Sequence, residues 1–117
     1  MLTVTLPYPP TVNTYYRNVK GKTLISEKGR EYRKAVADQV LIQRAAKAYA
    51  GRLGVLVEAY PPDKRSRDLD NILKSLLDSL TKAGVWADDS QIDDLQVVRK
   101  TVGGMVKVRV WTQGAPA

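Results

Sequence analysis

Lys64-Arg65-Ser66-Arg67-Asp68-Leu69-Asp70-Asn71-Ile72-Leu73-Lys74 is the stretch from which the rest of the chain can be placed. Three cations precede two aspartates and an amide, and an apolar helical pattern starts at once. Ile72, Leu73, Leu76, Leu77 and Leu80 recur at helical spacing, and Gly84 stands where a left-handed cap would end the run. A helix from about Leu69 to Ala83 is predicted. On a regular helix Asp68 and Asp70 would diverge by about 200°, whereas extended backbone puts both on one face. Asp68 therefore belongs at the N-cap or just before it, and Asp70 in the first turn. Upstream, Val55-Leu56-Val57-Glu58-Ala59-Tyr60 reads as a strand that Pro61-Pro62 stops.

Working outward, Leu2, Val4 and Leu6 alternate with Thr3 and Thr5 in a first strand that ends at Pro7-Tyr8-Pro9-Pro10. Lys20-Gly21 is the tip of a small hairpin or an exposed loop. Ser26 is a good N-cap for a long helix, Glu27 to Ala48, which Gly51 to Gly54 end. Beyond Asp88-Asp89 come a strand at Leu95 to Val102, the pair Gly103-Gly104, and a strand at Met105 to Trp111. A Gly-Gly pair between alternating segments predicts a hairpin. Val106, Val108 and Val110 face one side of the last strand; Lys107, Arg109 and Trp111 face the other. Gln113 to Ala117 read as a loose tail. The order β-α-β-α-β-β predicts an α/β fold of the α+β-like two-layer kind: a mixed four-stranded sheet packed with two main helices. The first strand, long helix and second strand form a crossover unit. Without repeats or a linker, residues 1–117 form one domain.

Composition narrows the chemistry. The chain has neither Cys nor His, so thiolate and imidazole ligands, Ser-His-Asp catalysis and a His general base are excluded. Hydrolysis would need carboxylates, Lys, Tyr or an activated water. No apolar run reaches the roughly 18 residues of a membrane span, and Met1 to Pro7 lack the features of a signal peptide. A cytoplasmic protein is expected. A formal charge of +7 favours a polyanionic partner. Tyr8, Tyr15 and Tyr16 mix with Arg17, Lys20 and Lys22 as on a nucleic-acid surface, with Tyr15 and Arg17 as contacts. The alternative is that Tyr15 and Tyr16 pack this loop onto the core. The cations of the long helix read as a solvated face.

Two acids and an amide beside a basic loop suit a hard metal ion held against a phosphate. Asp68 and Asp70 are candidate ligands, with Asn71 as an accessory oxygen. Lys64, Arg65 and Arg67 would position a phosphate backbone. Lys74, one turn after Asp70, would neutralise charge at the scissile phosphate. The plainer reading makes Asp68 a helix cap and Asp70-Lys74-Asp78 a ladder of i,i+4 pairs, each worth about 0.2–0.5 kcal/mol. A third carboxylate is available from Asp88, Asp89, Asp93 or Asp94. Spacing does not choose among them, although Asp93 and Asp94 read as solvated acids in a turn.

These residues carry a family resemblance. Arg67-Asp68-Leu69-Asp70-Asn71 with Lys74, followed by Leu80-Thr81-Lys82-Ala83-Gly84-Val85-Trp86-Ala87-Asp88-Asp89, resembles the RusA family of Holliday junction resolvases. Leu6-Pro7-Tyr8-Pro9-Pro10 with Asn13, Tyr15-Tyr16-Arg17, and Ser26-Glu27-Lys28-Gly29 with Tyr32-Arg33 extend the likeness over nearly the whole chain. The resemblance implies a homodimeric, Mg²⁺-dependent endonuclease, with Mn²⁺ able to substitute, that nicks two opposed strands of four-way junction DNA. It implies Asp68, Asp70 and Asp89 as the essential metal-binding carboxylates and Lys74 as the catalytic lysine. Asp88 becomes a neighbouring acid, and a phage or prophage origin is in keeping. Ser66 interrupts a basic run that is unbroken in well-known members, Val85 replaces an aromatic, and Tyr8 replaces a Trp. These departures bear on junction affinity and sequence preference. The competing readings are a non-catalytic basic DNA-binding protein and a metal nuclease for flaps or single strands.

Overall fold

A computed structural model describes residues 1–113; Gly114 to Ala117, in the expected tail, lie outside the described residues. Strands β1 (Leu2–Pro7), β4 (Leu53–Tyr60), β5 (Ile92–Arg99) and β6 (Met105–Thr112) form a four-stranded sheet in the order β1-β6-β4-β5. β6 pairs antiparallel with both β1 and β4, and β4 pairs parallel with β5. The first strand–helix–strand unit is thus a crossover within one sheet, with β6 inserted between its strands. Helices α2 (Glu27–Ile42) and α3 (Leu73–Lys82) supply the second layer. Val4, Leu6, Val55, Val57, Val106, Val108 and Val110 meet Val36, Val40, Leu76 and Leu80 in one buried cluster. The mixed two-layer architecture matches the expectation.

A smaller ribbon stands apart from this sheet. The turn α1 (Val12–Tyr15) leads into β2 (Tyr16–Val19) and β3 (Lys22–Ile25), which pair antiparallel across Lys20-Gly21. Both turn residues have positive φ, the geometry of a two-residue hairpin. Ser26 caps α2 by accepting a hydrogen bond from the Gly29 N–H at 2.9 Å.

The predicted hairpin at Gly103-Gly104 does not form: β4 lies between β5 and β6. The linking loop instead crosses the end of β4. Lys100 N–H donates to Ala59 O at 2.7 Å, Gly103 N–H to Pro61 O at 2.8 Å, and Gly104 N–H to Tyr60 O at 2.8 Å. The patterning explains the order. β6 has a continuous valine face and is flanked on both sides, whereas β5 carries Asp93, Asp94 and Gln96 and suits an edge.

Helix α2 stops at Ile42, six residues short of Ala48. Ala45 N–H bonds Val40 O and Arg44 N–H bonds Leu41 O, with Arg44 left-handed at φ 56°. This is a Schellman ending with Arg in place of glycine, secured by the buried Ala45. Gly51 to Gly54 therefore do not end the helix, and Gly54 lies inside β4, where a Cβ would run into the Trp111 ring. We expect Gly54→Ala to cost about 1–3 kcal/mol, read as a lower denaturation midpoint, with the loss relieved in Gly54→Ala/Trp111→Ala.

The residue after α2 also closes one side of the sheet. Gln43 Oε1 accepts from Thr5 N–H at 2.9 Å, and Gln43 Nε2 donates to Thr5 O at 2.7 Å. Farther along β1, the Tyr32 hydroxyl donates to Pro7 O at 2.8 Å. Gln113, expected to be loose, donates its N–H to Arg52 O at 2.9 Å.

Candidate active site

The chain leaves β4 through Pro61-Pro62 and enters a basic loop that Asp63 organises. Its carboxylate accepts from Arg65 N–H at 2.9 Å, Arg65 Nε at 3.1 Å and Arg67 Nη2 at 2.9 Å. The Arg65 backbone N–H, then the two guanidinium groups, hold the Asp63 carboxyl below the usual range. Arg99, on the neighbouring β5, donates to Arg67 O at 2.6 Å. Lys64 and Arg65 are exposed, while Arg67 is half-buried with a buried Nε that has no partner.

Leu69–Ile72 then form a 3₁₀ turn before α3 begins. Asp68 occupies the N-cap position at φ −87°, ψ 130°, but its side chain makes no capping hydrogen bond. The capping alternative thereby fails, and an exposed carboxylate is left available. Asp70 is exposed one turn before exposed Lys74, while Ile72, Leu76 and Leu80 hold the opposite face in the core. The proposed charge ladder fails as well. Asp78 is bonded by Arg33 Nη2 at 2.6 Å and by the Tyr15 hydroxyl at 2.5 Å. Among the described residues, Lys74 makes no ion pair.

Tyr15 is fully buried, which corrects its expected place on a DNA surface. Its hydroxyl also accepts from Arg33 Nε at 2.6 Å, so the ring and its polar tip are both spent on structure. Burial raises the Asp78 carboxyl, but the Tyr15 and Arg33 hydrogen bonds outweigh it and bring its pKa below the ordinary value. Arg17 is exposed on β2.

The structure separates Asp88 from Asp89. Asp88 caps the 3₁₀ turn Asp89–Gln91, accepting from Ser90 N–H at 2.9 Å, while its own N–H donates to Gln91 Oε1 at 2.9 Å. The Ser90 backbone N–H keeps its pKa low. Asp89 is half-buried and outside this capping box. Asp93 and Asp94, expected in a turn, lie in β5, and Asp93 pairs with Arg52.

Asp68, Asp70, Asn71 and Lys74 follow one another from the N-cap through the 3₁₀ turn into the start of α3; Asp89 is not with them. The Asp89 turn is fixed to the start of β4, where Gln91 Nε2 bonds Gly51 O at 2.8 Å and Arg52 Nη2 bonds Ser90 O at 2.8 Å. Arg67 and Asp68 lie at the far end of β5, beside Arg99. That eight-residue strand spans about 23 Å at roughly 3.3 Å per residue. Among the described residues, no three acids come together in one chain.

Two clefts flank the basic loop. A groove of about 1070 Å³ runs from Arg67, Asp68 and Asn71 past Tyr8 to Lys28 and Glu31. The opposite side, about 550 Å³, is lined by Lys64, Arg65, Arg99 and Lys100. Glu31, Arg99 and Lys100 escaped the sequence reading, because helix and strand patterns treat them as solvated charges, and Lys28 stood out only as part of the Ser26-Glu27-Lys28-Gly29 motif. Only the turn of β4 into the basic loop brings them to its sides.

Exposed acids, an unpaired lysine and an arginine-lined groove constitute the equipment of a phosphodiesterase, with oxygen donors of the kind that hard divalent cations take. The sequence comparisons agree. The family profile for "Endodeoxyribonuclease RusA" matches residues 7–111. The chain is 47% identical over 108 residues to "Crossover junction endodeoxyribonuclease rusA" of Enterobacteria phage HK97, covering 90% of this chain and 89% of that one. It is 40% identical over 113 residues to the protein of that name from Escherichia coli K12, covering 95% and 94%, and 41% identical over 113 residues to that of Enterobacteria phage 82. The chain belongs to the RusA family of endodeoxyribonucleases. No described helix is long and apolar enough to cross a membrane.

Proposed function

We propose that this protein is a homodimeric, divalent-metal-dependent endonuclease that resolves four-way DNA junctions by paired symmetric nicks, working in the cytoplasm. The observation that carries the reading is the uncapped, exposed Asp68 in an arginine-lined groove, with exposed Asp70 and unpaired Lys74 following it on the same segment. The names of the relatives support the substrate.

Asp68 and Asp70 fit a hard cation because both carboxylates are exposed and neither is used to cap the helix. Mg²⁺ is the expected ion, with Mn²⁺ as substitute; it binds through one or two carboxylates plus substrate phosphate. When bound, it supplies Lewis acidity at the phosphate and acidifies water. Lys74 stabilises charge that grows on the phosphate during attack. Arg65, Arg67 and Lys64 hold the backbone in register, and Asp63 fixes the two arginines for that task. Asp89 belongs to the acid set, with Asn71 and Asp88 in accessory positions.

The test is Mg²⁺-dependent cleavage of four-way, three-way, flap and duplex substrates. Paired nicks on the four-way junction are expected; preference for flaps or single strands would replace junction resolution with that alternative. Arg65→Ala should lower the slope of log affinity against log salt by about one unit, as loss of one phosphate contact does. An unchanged slope would return Arg65 to the solvated surface.

A further inference from the structure

We propose that two copies of this chain join through the open edge of β5, antiparallel about a two-fold axis at Gln96, so that two four-stranded sheets become one. This rests on the homodimer reading above and adds the surface that makes the dimer.

The two sheet edges are treated differently. On β1 the Gln43 carboxamide satisfies both backbone groups of Thr5, the Tyr32 hydroxyl satisfies Pro7 O, and Pro7 has no N–H to offer. On β5 no side chain among the described residues bonds the outer backbone. A long uncovered edge normally invites pairing. Its sequence is complementary to itself. Asp93 and Asp94 stand at the start, Arg99 and Lys100 at the end, and Leu95 and Val98 between them are 40% and 42% exposed. An antiparallel copy sets the acidic start of each strand beside the basic end of the other, and Leu95 opposite Val97.

The same pairing completes the acid set. Asp68 and Asp70 lie by the end of β5, and Asp89 lies just before its start. Reversing the second strand brings its start, and its Asp89, to the end where the first chain keeps Asp68 and Asp70. Each site then draws on both chains.

Sedimentation measures the pairing without reference to activity. Wild type should have the mass of two chains. Gln96→Lys, which opposes two lysines across the axis, should have the mass of one. Thr3→Lys on the β1 edge should remain paired. A Gln96→Lys protein that stays dimeric overturns the proposal. The chain has no cysteine, so Gln96→Cys provides a second reading. Directly opposed side chains lie about 4.5–5.5 Å apart at Cβ, and oxidation should link most chains in pairs, whereas Thr3→Cys should not. Linkage in Thr3→Cys alone overturns the proposal.

Site sharing has its own readout. Asp70→Asn and Asp89→Asn, each inactive alone, should recover about a quarter of wild-type nicking after refolding together, because half the dimers carry one intact site. No recovery, or an active Asp89→Asn, overturns the sharing. A wild-type dimer that cleaves no junction would overturn the substrate reading and leave the interface standing.

Discussion

Asp70→Asn is expected to lower Mg²⁺-dependent nicking of a four-way junction by about a thousandfold, the scale of losing a group that stabilises transition-state charge, while junction binding persists. The amide keeps the size of the carboxylate but gives up the charge that a hard cation requires. Asp70 is exposed, and its turn is held by Ile72 and α3, so the fold should survive. Removing a negative charge beside phosphate should make binding equal or tighter. A gel-shift titration in Ca²⁺ or EDTA, paired with a cleavage time course in Mg²⁺, reads both quantities. Full activity in Asp70→Asn would remove the aspartates from the chemistry and leave a DNA-binding protein with acidic ornament. Loss of binding together with cleavage would make Asp70 structural.

Asp78→Ala carries the second large effect, this time on stability. Its carboxylate anchors Arg33 and the buried Tyr15, which ties the start of the β2–β3 ribbon to both helices. Removing it strands a guanidinium and a phenol in a partly buried place. A fully buried pair broken on one side costs about 3–5 kcal/mol; with the side chains 30% and 19% exposed, we expect about 2–3 kcal/mol. Thermal unfolding measures this. The pH dependence has a definite sign. The folded Asp78 pKa lies below its unfolded value, so the stabilisation is complete above the ordinary carboxylate pKa of about 3.9. It is lost as pH falls through the lower folded value. The gap between wild type and Asp78→Ala should therefore be full at neutral pH and narrow only as pH falls below the ordinary carboxylate range, through the lowered Asp78 value.

Much of the molecule was legible because its signals are local. The leucine stripe after Asp70, the valines of β6, Ser26 as a cap and Gly84 as a stop each act within one element. Val85 N–H bonds Leu80 O at 3.2 Å, as a Gly84-centred ending requires. What escaped depends on distant partners. The Gly-Gly pair has the chemistry of a hairpin, but β4 occupies the place beside β6, and no local pattern announces an inserted strand. Arg44 in the left-handed region looks like an ordinary helical residue until Ala45 is seen to be buried. Tyr15 beside Arg17 reads as a nucleic-acid contact because its partner, Asp78, is 63 residues away. At the site, the local group Asp68, Asp70, Asn71 and Lys74 was legible as a turn. The separation of Asp89 from it follows from the direction of β5, which spacing does not reveal.

The carboxamide of Gln43 has a consequence for growth. A sheet with two open edges can polymerise, each added copy leaving a fresh edge for the next. Here one edge is stoppered by a side chain of the same molecule, so the pairing proposed for the other would terminate after a single step. Replacing Gln43 with a residue that cannot bond Thr5 on both sides would convert a finite particle into a potential monomer of a ribbon, with turbidity at high concentration as the sign.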